Sequence, residues 1–128
     1  EVMPRPKSLT VSDLSALPLV ITPGMLTLVT GAQKGPRRRF NLLAEVESIE
    51  TIRSLLSTGA VMTVVPQSAF WEDLQAGRLT AIPLRSPIPE RMLVLASRTD
   101  NADLAAIRHL SRIVRQSVQQ AMVPHAMA

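Results

Sequence analysis

The side chains that could do acid–base or metal chemistry are few, and they are scattered along the sequence. Two histidines and no cysteine occur, so a metal site would depend mainly on carboxylates, and no catalytic triad can be assembled. Glu45 and Glu47 lie two residues apart in a strand-like stretch, which would place both on one face as an acid and base pair. A polar end of the strand explains both glutamates more simply. His109 could act as a general base, but an ordinary position at the boundary or the surface explains it more simply. We therefore expect no catalytic centre, no bound metal and no cofactor.

Phosphate-binding motifs are also missing from the sequence. Residues 30–35 (Thr-Gly-Ala-Gln-Lys-Gly) lack the order Gly-x-x-x-x-Gly-Lys-Ser/Thr, and Gly24 with Gly31 does not form a dinucleotide fingerprint. The formal charge is +4, and its one local concentration is Lys34 with residues 37–39, all arginine. The simpler interpretation of this cluster is a solvated turn before a strand. The alternative is a contact for phosphate or nucleic acid, which usually needs more cations along one face.

Periodicity divides the sequence into alternating strand-like and helix-like segments that end at Gly or Pro, which indicates an α/β fold. The predicted strands are residues 19–21, 40–46, 60–65, 79–84 and 91–97. The predicted helices are residues 25–34, a helix capped by Ser48 and closed by Gly59, residues 68–75, and a long terminal helix over 100–121 that Asp100 caps. The terminal helix has one apolar stripe, which needs a partner surface.

Small and polar residues follow three of the predicted strands. They are Thr22, Pro23, Gly24 and Met25 after the first strand, Ser48 after the second, and Pro66 after the third. Ligands bind at the carboxyl ends of strands in open α/β sheets, because backbone amides and helix N-termini converge there. A small anion is the ligand that this edge favours. The alternative is that Pro23 and Gly24 only form a turn and Ser48 only caps a helix.

Composition excludes several other classes of protein. At 128 residues the chain fits one domain, and its 46% hydrophobic residues provide a core. Two Phe, one Trp and no Tyr leave almost no rings on which bases or sugars could stack. The longest apolar runs, 17–21 and 61–65, are far below the roughly 20 residues that span a membrane. The lack of cysteine agrees with a cytoplasmic location, which we expect.

Four segments in order resemble the effector-binding domain of LysR-type transcription regulators. They are residues 11–21, 44–48, 55–66 and 74–79. The resemblance implies a type II periplasmic-binding-protein fold, in which two Rossmann-like subdomains with mixed sheets and flanking helices hold an effector between them. The chain resembles a second-half fragment. Residues 9–97 would be the second subdomain, and the helix over 100–121 would dock on a first subdomain that the fragment lacks.

The same resemblance assigns an effector-binding role to the loop after the first strand, Thr22 to Met25, and less directly to Ser48 and to the stretch from Thr63 to Pro66. The region 22–39 is shorter than the family pattern, with glycines and a proline in place of a full helix. We therefore expect an altered pocket.

The function that the resemblance implies is regulation of transcription by a homo-oligomer, in which the effector controls DNA binding through a helix-turn-helix outside this chain. No membrane contact is implied. The competing hypothesis is a solute-binding module of a transport system with a similar fold. A helix-turn-helix encoded upstream of Glu1 would favour regulation, and a secretory signal peptide would favour transport. The stripe on the terminal helix also predicts self-association.

Overall fold

The computed structural model describes residues 5–85, 92–101 and 104–126, and it is an α/β structure. The chain divides into two compact units, Glu1–Arg91 and Met92–Ala128. The first unit contains strands β1 (Leu19–Ile21) and β2 (Leu42–Glu45) and helices α1 (Pro23–Gly31), α2 (Ile49–Leu56) and α3 (Trp71–Gln75). The second contains α4 (Ala105–Ala126). Short 3-10 turns cover Ser12–Ala16, Gln67–Phe70 and Thr99–Asn101.

Strand β1 is the central strand of the first unit. It pairs with β2 in parallel, from Leu19 opposite Leu42 to Ile21 opposite Glu45. On its other side a single bridge joins it to Met62, whose backbone accepts from the Val20 amide at 2.9 Å and donates to the Pro18 carbonyl at 2.8 Å. The three segments therefore run in one direction, with β1 in the middle.

The side chains of β1 alternate between two hydrophobic cores, as those of a strand must. Leu19 and Ile21 pack with Met25 and Val29 of α1, together with Leu14 of the first 3-10 turn and Val11 just before it. Val20 packs on the opposite side with Ile52 of α2 and with Phe70. Helices therefore cover both faces of the sheet, which explains why all three residues of β1 are buried.

Strand β2 carries a β-bulge that changes which core its residues enter. Leu19 is opposite Leu42, but the next residue, Val20, is opposite Ala44, so Leu43 is the extra residue and is exposed. Because of this shift, Leu42 packs against the first core and Ala44 against the second. A regular strand would have placed both on the same face.

Several predicted elements are correct and others are wrong. β1 and α2 form where the sequence predicts them, and Gly59 follows α2 with a φ of +75°. Helix α1 also forms, but it begins at Pro23 because Thr22 caps it, so Pro23 starts a helix and does not merely end a strand. The terminal helix begins at Ala105, and Asp100 lies in the preceding 3-10 turn, where it accepts two hydrogen bonds from Arg98 and does not cap α4.

Three of the predicted strands do not form as strands, so the prediction of a mixed sheet is wrong for the described residues, where every bridge is parallel. Residues 60–65 contribute only Met62, because three-residue β1 presents few backbone groups to that side. Residues 79–84 contribute only a bridge from Leu84 to Leu9, since Pro83 has no amide hydrogen. Residues 92–97 have exposed side chains and pair with no described strand, and Arg91 lies outside the described residues.

A buried carboxylate connects α2 to α3. Asp73 accepts from Arg53 Nε at 2.9 Å and from Arg78 Nε at 2.8 Å, and its side chain is only 8% exposed. Arg53 lies over the Phe70 ring at 5.3 Å and also pairs with Glu50. The hydrogen bonds from Arg78 and then Arg53 hold the pKa of Asp73 below its usual value, although burial acts in the opposite direction.

Replacing Asp73 with Asn should destabilise the protein at pH 7, because the amide cannot accept charge-assisted bonds from both arginines. A carboxyl with a lowered folded pKa stabilises above its unfolded pKa of about 3.9 and loses that contribution as pH falls through the folded value. The difference in unfolding free energy between wild type and D73N should therefore shrink between pH 7 and pH 3, as measured by urea unfolding.

The pKa of Asp13 is also lowered, by hydrogen bonds from the Thr10 backbone and hydroxyl, but this group titrates in both proteins and cancels in the difference. Asp100→Asn removes an exposed ion pair with Arg98 and serves as the control, with little expected effect. If D73N lowered the free energy of unfolding by the same amount at pH 7 and at pH 3, the role assigned to the charge of Asp73 would be contradicted.

Candidate functional site

Three segments leave the sheet of the first unit at the same edge. Because β1, β2 and the segment at Met62 are parallel, their carboxyl ends meet there. Thr22 follows β1 in the centre, Ser48 lies beyond β2 on one side, and Thr63 follows Met62 on the other. The topology therefore brings the three hydroxyl-bearing residues singled out from the sequence to one edge, with Thr22 between the other two.

Thr22 forms the N-cap of α1. Its hydroxyl accepts from the Met25 amide at 3.2 Å, and its carbonyl accepts from the Leu26 amide at 2.9 Å. Pro23 at the first helical position has no amide hydrogen to satisfy. Among the first-turn positions this leaves the Gly24 amide without a partner in the helix. The start of α1 therefore offers one backbone donor and the unused hydroxyl hydrogen of Thr22.

Met25 has a different position from its neighbours in this loop. Its side chain is 6% exposed and belongs to the first core, where it packs with Leu19, Ile21 and Val29. It anchors the start of α1 to the sheet. The residue thus fixes the position of Thr22 and Gly24 relative to the edge.

Ser48 caps α2 in the same way as Thr22 caps α1. Its hydroxyl accepts from the Thr51 amide at 3.2 Å and its carbonyl accepts from the Ile52 amide at 3.0 Å. The electrostatic surroundings differ, however, because Glu50 lies in the first turn of α2 and Glu47 precedes it, whereas the first turn of α1 has no acidic residue. An anion is therefore favoured at the start of α1 over the start of α2.

Thr63 carries a buried hydroxyl that has no hydrogen-bond partner among the described residues. Leaving such a group unsatisfied costs about 1–3 kcal/mol, so a buried orphan needs an explanation. Pro66, at the end of this segment, is exposed and its carbonyl accepts from the Ala69 amide at 2.9 Å. The polar feature of this segment is therefore the threonine hydroxyl.

The basic cluster of Lys34 and residues 37–39 lies at the opposite edge of the sheet. Helix α1 runs away from the site, and the loop after it leads back to the start of β2, where the Asn41 carbonyl accepts from the Leu19 amide. The Gln33 side chain closes this loop with two hydrogen bonds to the backbone of Arg38. The cluster is exposed and does not belong to the edge that carries Thr22, Ser48 and Thr63.

The remaining candidates for chemistry do not assemble into a site. Glu45, Glu47 and His109 are all exposed. No group of three or more potential metal-ligating side chains occurs among residues 5–85, 92–101 and 104–126. Nor does any helix in those ranges combine the length and apolar character required to cross a membrane.

Comparison with known proteins assigns the chain to a family. The family model described as the LysR substrate binding domain matches residues 3–119. The chain belongs to this family. No curated protein and no solved structure matches it significantly. The family assignment agrees with the parallel α/β arrangement of the first unit. The family is one of ligand-binding domains of LysR type.

Gly24 and Thr63 are both candidates from the sequence, but the sequence does not indicate that the Thr63 hydroxyl is buried. The helix start that leaves the Gly24 amide without a partner in the helix has a sequence signal, because Thr followed by Pro is a known signature of a helix N-cap and first position. The burial of the Thr63 hydroxyl has no such signal, since it depends on how the short segment around Met62 packs beside β1.

Replacing Thr63 with Val tests whether the hydroxyl is an unsatisfied group in the ligand-free protein. We expect an unchanged or higher free energy of unfolding, because the substitution removes a buried polar atom that has no partner. The matched variant Thr22→Val should lower stability by about 0.5–2 kcal/mol, because it removes a helix cap. Both are measured by chemical denaturation without ligand. A loss in T63V as large as that in T22V would show that the Thr63 hydroxyl has a stabilising partner.

Proposed function

We propose that the chain is the effector-sensing part of a LysR-type transcription regulator and that a small anionic effector binds at the start of α1. The observation that carries this proposal is the buried Thr63 hydroxyl, which has no hydrogen-bond partner among the described residues. It lies at the same edge as the Gly24 amide, which has no partner in its own helix. A carboxylate or similar group could accept from both and from the Thr22 hydroxyl. The absence of acidic residues in the first turn of α1 supports an anion there.

Ser48 and Pro66 have a secondary role in this proposal. Ser48 lies beside Glu47 and close in sequence to Glu50, so it suits a neutral or donating part of the effector better than its carboxylate. Pro66 contributes shape, because it has no amide to donate. Met25 holds the loop from within the core. In this proposal these residues form one wall of a pocket, and a first subdomain outside this chain would supply the other wall.

Regulation follows if the effector binds one arrangement of the two subdomains more tightly than the other. A ligand shifts a conformational equilibrium only by its differential affinity for the two states. In this proposal the shift changes the spacing of helix-turn-helix heads in a cytoplasmic homo-oligomer, and DNA contacts arise from those heads. The chain described here contributes effector recognition and performs no catalysis.

The test is a thermal-shift screen of the natural full-length gene product against small carboxylates, amino acids and aromatic acids. A binding ligand raises the unfolding temperature. We expect T63V to weaken the affinity for that ligand by about tenfold or more, because a hydrogen bond to a charged group contributes about 1.5–3 kcal/mol. Ser48→Ala is the control, because it also removes a hydroxyl at this edge, from the cap of α2. Its effect on the affinity for the ligand should be clearly smaller than that of T63V.

A ligand whose affinity depends on Ser48 and not on Thr63 would contradict the proposed position of the anion. A secretory signal peptide upstream of Glu1, in place of a helix-turn-helix, would contradict the regulatory role and favour solute capture. A full-length product that binds its promoter and responds to no ligand would contradict effector sensing.

The apolar face of α4 supports the proposal that the protein self-associates. Leu110 is 55% exposed and Val114 41% exposed, and Ile113 and Val118 on the same side are also exposed. Removing apolar area from water is favourable by roughly 25 cal/mol per Å². A second copy of the chain could cover this stripe.

Light scattering after size-exclusion chromatography should therefore report a species larger than the monomer for the 128-residue chain. Changing Leu110 and Val114 together to Ser should shift the population toward monomer, because it removes the centre of the apolar face. Leu43→Ser, at an equally exposed apolar residue of the first unit, is the control and should not change the mass. A wild-type monomer at high concentration would contradict self-association through α4.

A further inference from the structure

A groove in the second unit carries a concentration of positive charge that the proposed effector site does not use. It is lined by Ser97 and by one side of α4, namely Ile107, Arg108, Ser111, Arg112 and Arg115. The three arginines are exposed, and the groove is open to solvent. Hydroxyl and guanidinium donors thus share one concave surface.

The spacing of the three arginines places them on one line along the helix. Arg112 lies four residues after Arg108, and Arg115 lies seven residues after Arg108. All three therefore lie within an arc of about 60° around the helix axis. At about 1.5 Å per residue the row is about 10 Å long. This length exceeds that of a single phosphate or carboxylate group and suits an elongated anion with two or more charged groups.

No acidic side chain in the described residues neutralises this row. Arg53, Arg78 and Arg98 form ion pairs, whereas the three groove arginines form none within the described ranges. Helix α4 itself contains no Asp or Glu. The carboxylate of Asp100, in the same unit, is held by two hydrogen bonds from Arg98. The field in the groove is therefore positive, and each guanidinium keeps its full set of donors.

We propose that this groove binds a small, multiply charged anion of the diphosphate or triphosphate class. Guanidinium groups bind phosphate oxygens through pairs of parallel hydrogen bonds, and serine hydroxyls can donate to the same oxygens. None of the residues that line the groove carries an aromatic ring, so the lining offers no ring on which a base could stack. Recognition is therefore of the anion and not of an attached base.

The proposal for the groove is independent of the proposed effector site, because the two lie in different units and share no residue. A nucleic-acid surface would need cations spread along a longer face than a row of three arginines. The groove is therefore assigned to a small anion, and duplex DNA becomes a competing outcome of the test.

The experiment is isothermal titration calorimetry of the 128-residue chain with inorganic diphosphate. We expect saturable binding, and the double variant R108Q/R112Q should weaken it by about tenfold or more, since each lost guanidinium removes charge-assisted hydrogen bonds. The control is R37Q/R38Q, which removes the same number of charges from the exposed loop after α1. It should change the affinity by less than about twofold if binding is local to the groove.

Parallel titrations with citrate and with a short DNA duplex distinguish the chemistry. Weaker binding of citrate than of diphosphate, with both lost in R108Q/R112Q, supports a phosphate-class site. The absence of diphosphate binding at millimolar concentration would overturn the proposal. An equal loss of affinity for diphosphate in R108Q/R112Q and in R37Q/R38Q would also overturn the proposal, because it would show that the anion is attracted by net charge alone. Tight DNA binding that R108Q/R112Q abolishes, without diphosphate binding, would reassign the groove to nucleic acid.

Discussion

The first unit depends on the burial of one three-residue strand on both of its faces. Leu19 and Ile21 complete one core and Val20 completes the other, so β1 joins the α1 side of the sheet to the α2 side. Its backbone also serves two neighbours, β2 on one side and Met62 on the other. Any change that displaces β1 would disturb both cores and both pairings together. The site edge is simply the place where this strand ends.

The parallel arrangement then determines which helix starts lie at that edge, and local charge makes them unequal. α1 begins with a threonine cap, a proline and a glycine, and no carboxylate opposes an anion there. α2 begins with a serine cap, but Glu50 uses the favourable interaction with the helix N-terminus and pairs with Arg53. Two geometrically similar caps therefore have different electrostatic surroundings. The buried Thr63 hydroxyl lies on the side of β1 away from β2.

The sequence predicts those features that depend on local chemistry. Strand β1, the Ser48 cap and the glycine that ends α2 can be recognised because a buried strand, a helix cap and a left-handed residue have characteristic residue types. Among the described residues, the predicted strands over 79–84 and 91–97 do not form, because an apolar run forms a strand only beside a partner and the availability of a partner is a property of the whole sheet. Likewise, the order of the four motifs predicts the family, and the match over residues 3–119 confirms it. The burial of Thr63 and the bulge at Leu43 depend on packing that no short segment encodes.

The loop closed by Gln33 bears on how the domain tolerates changes in chain length. The irregular part of the stretch between Thr22 and β2 follows α1, at the edge away from Thr22 and Thr63. The first turn of α1 is held by its cap and by Met25 in the core, whereas Gly35, with a φ of +83°, allows the chain to reverse in few residues. Insertions and deletions accumulated there would alter the far side of the sheet. The edge that carries Thr22 and Thr63 would keep its geometry while such changes alter the length of the chain.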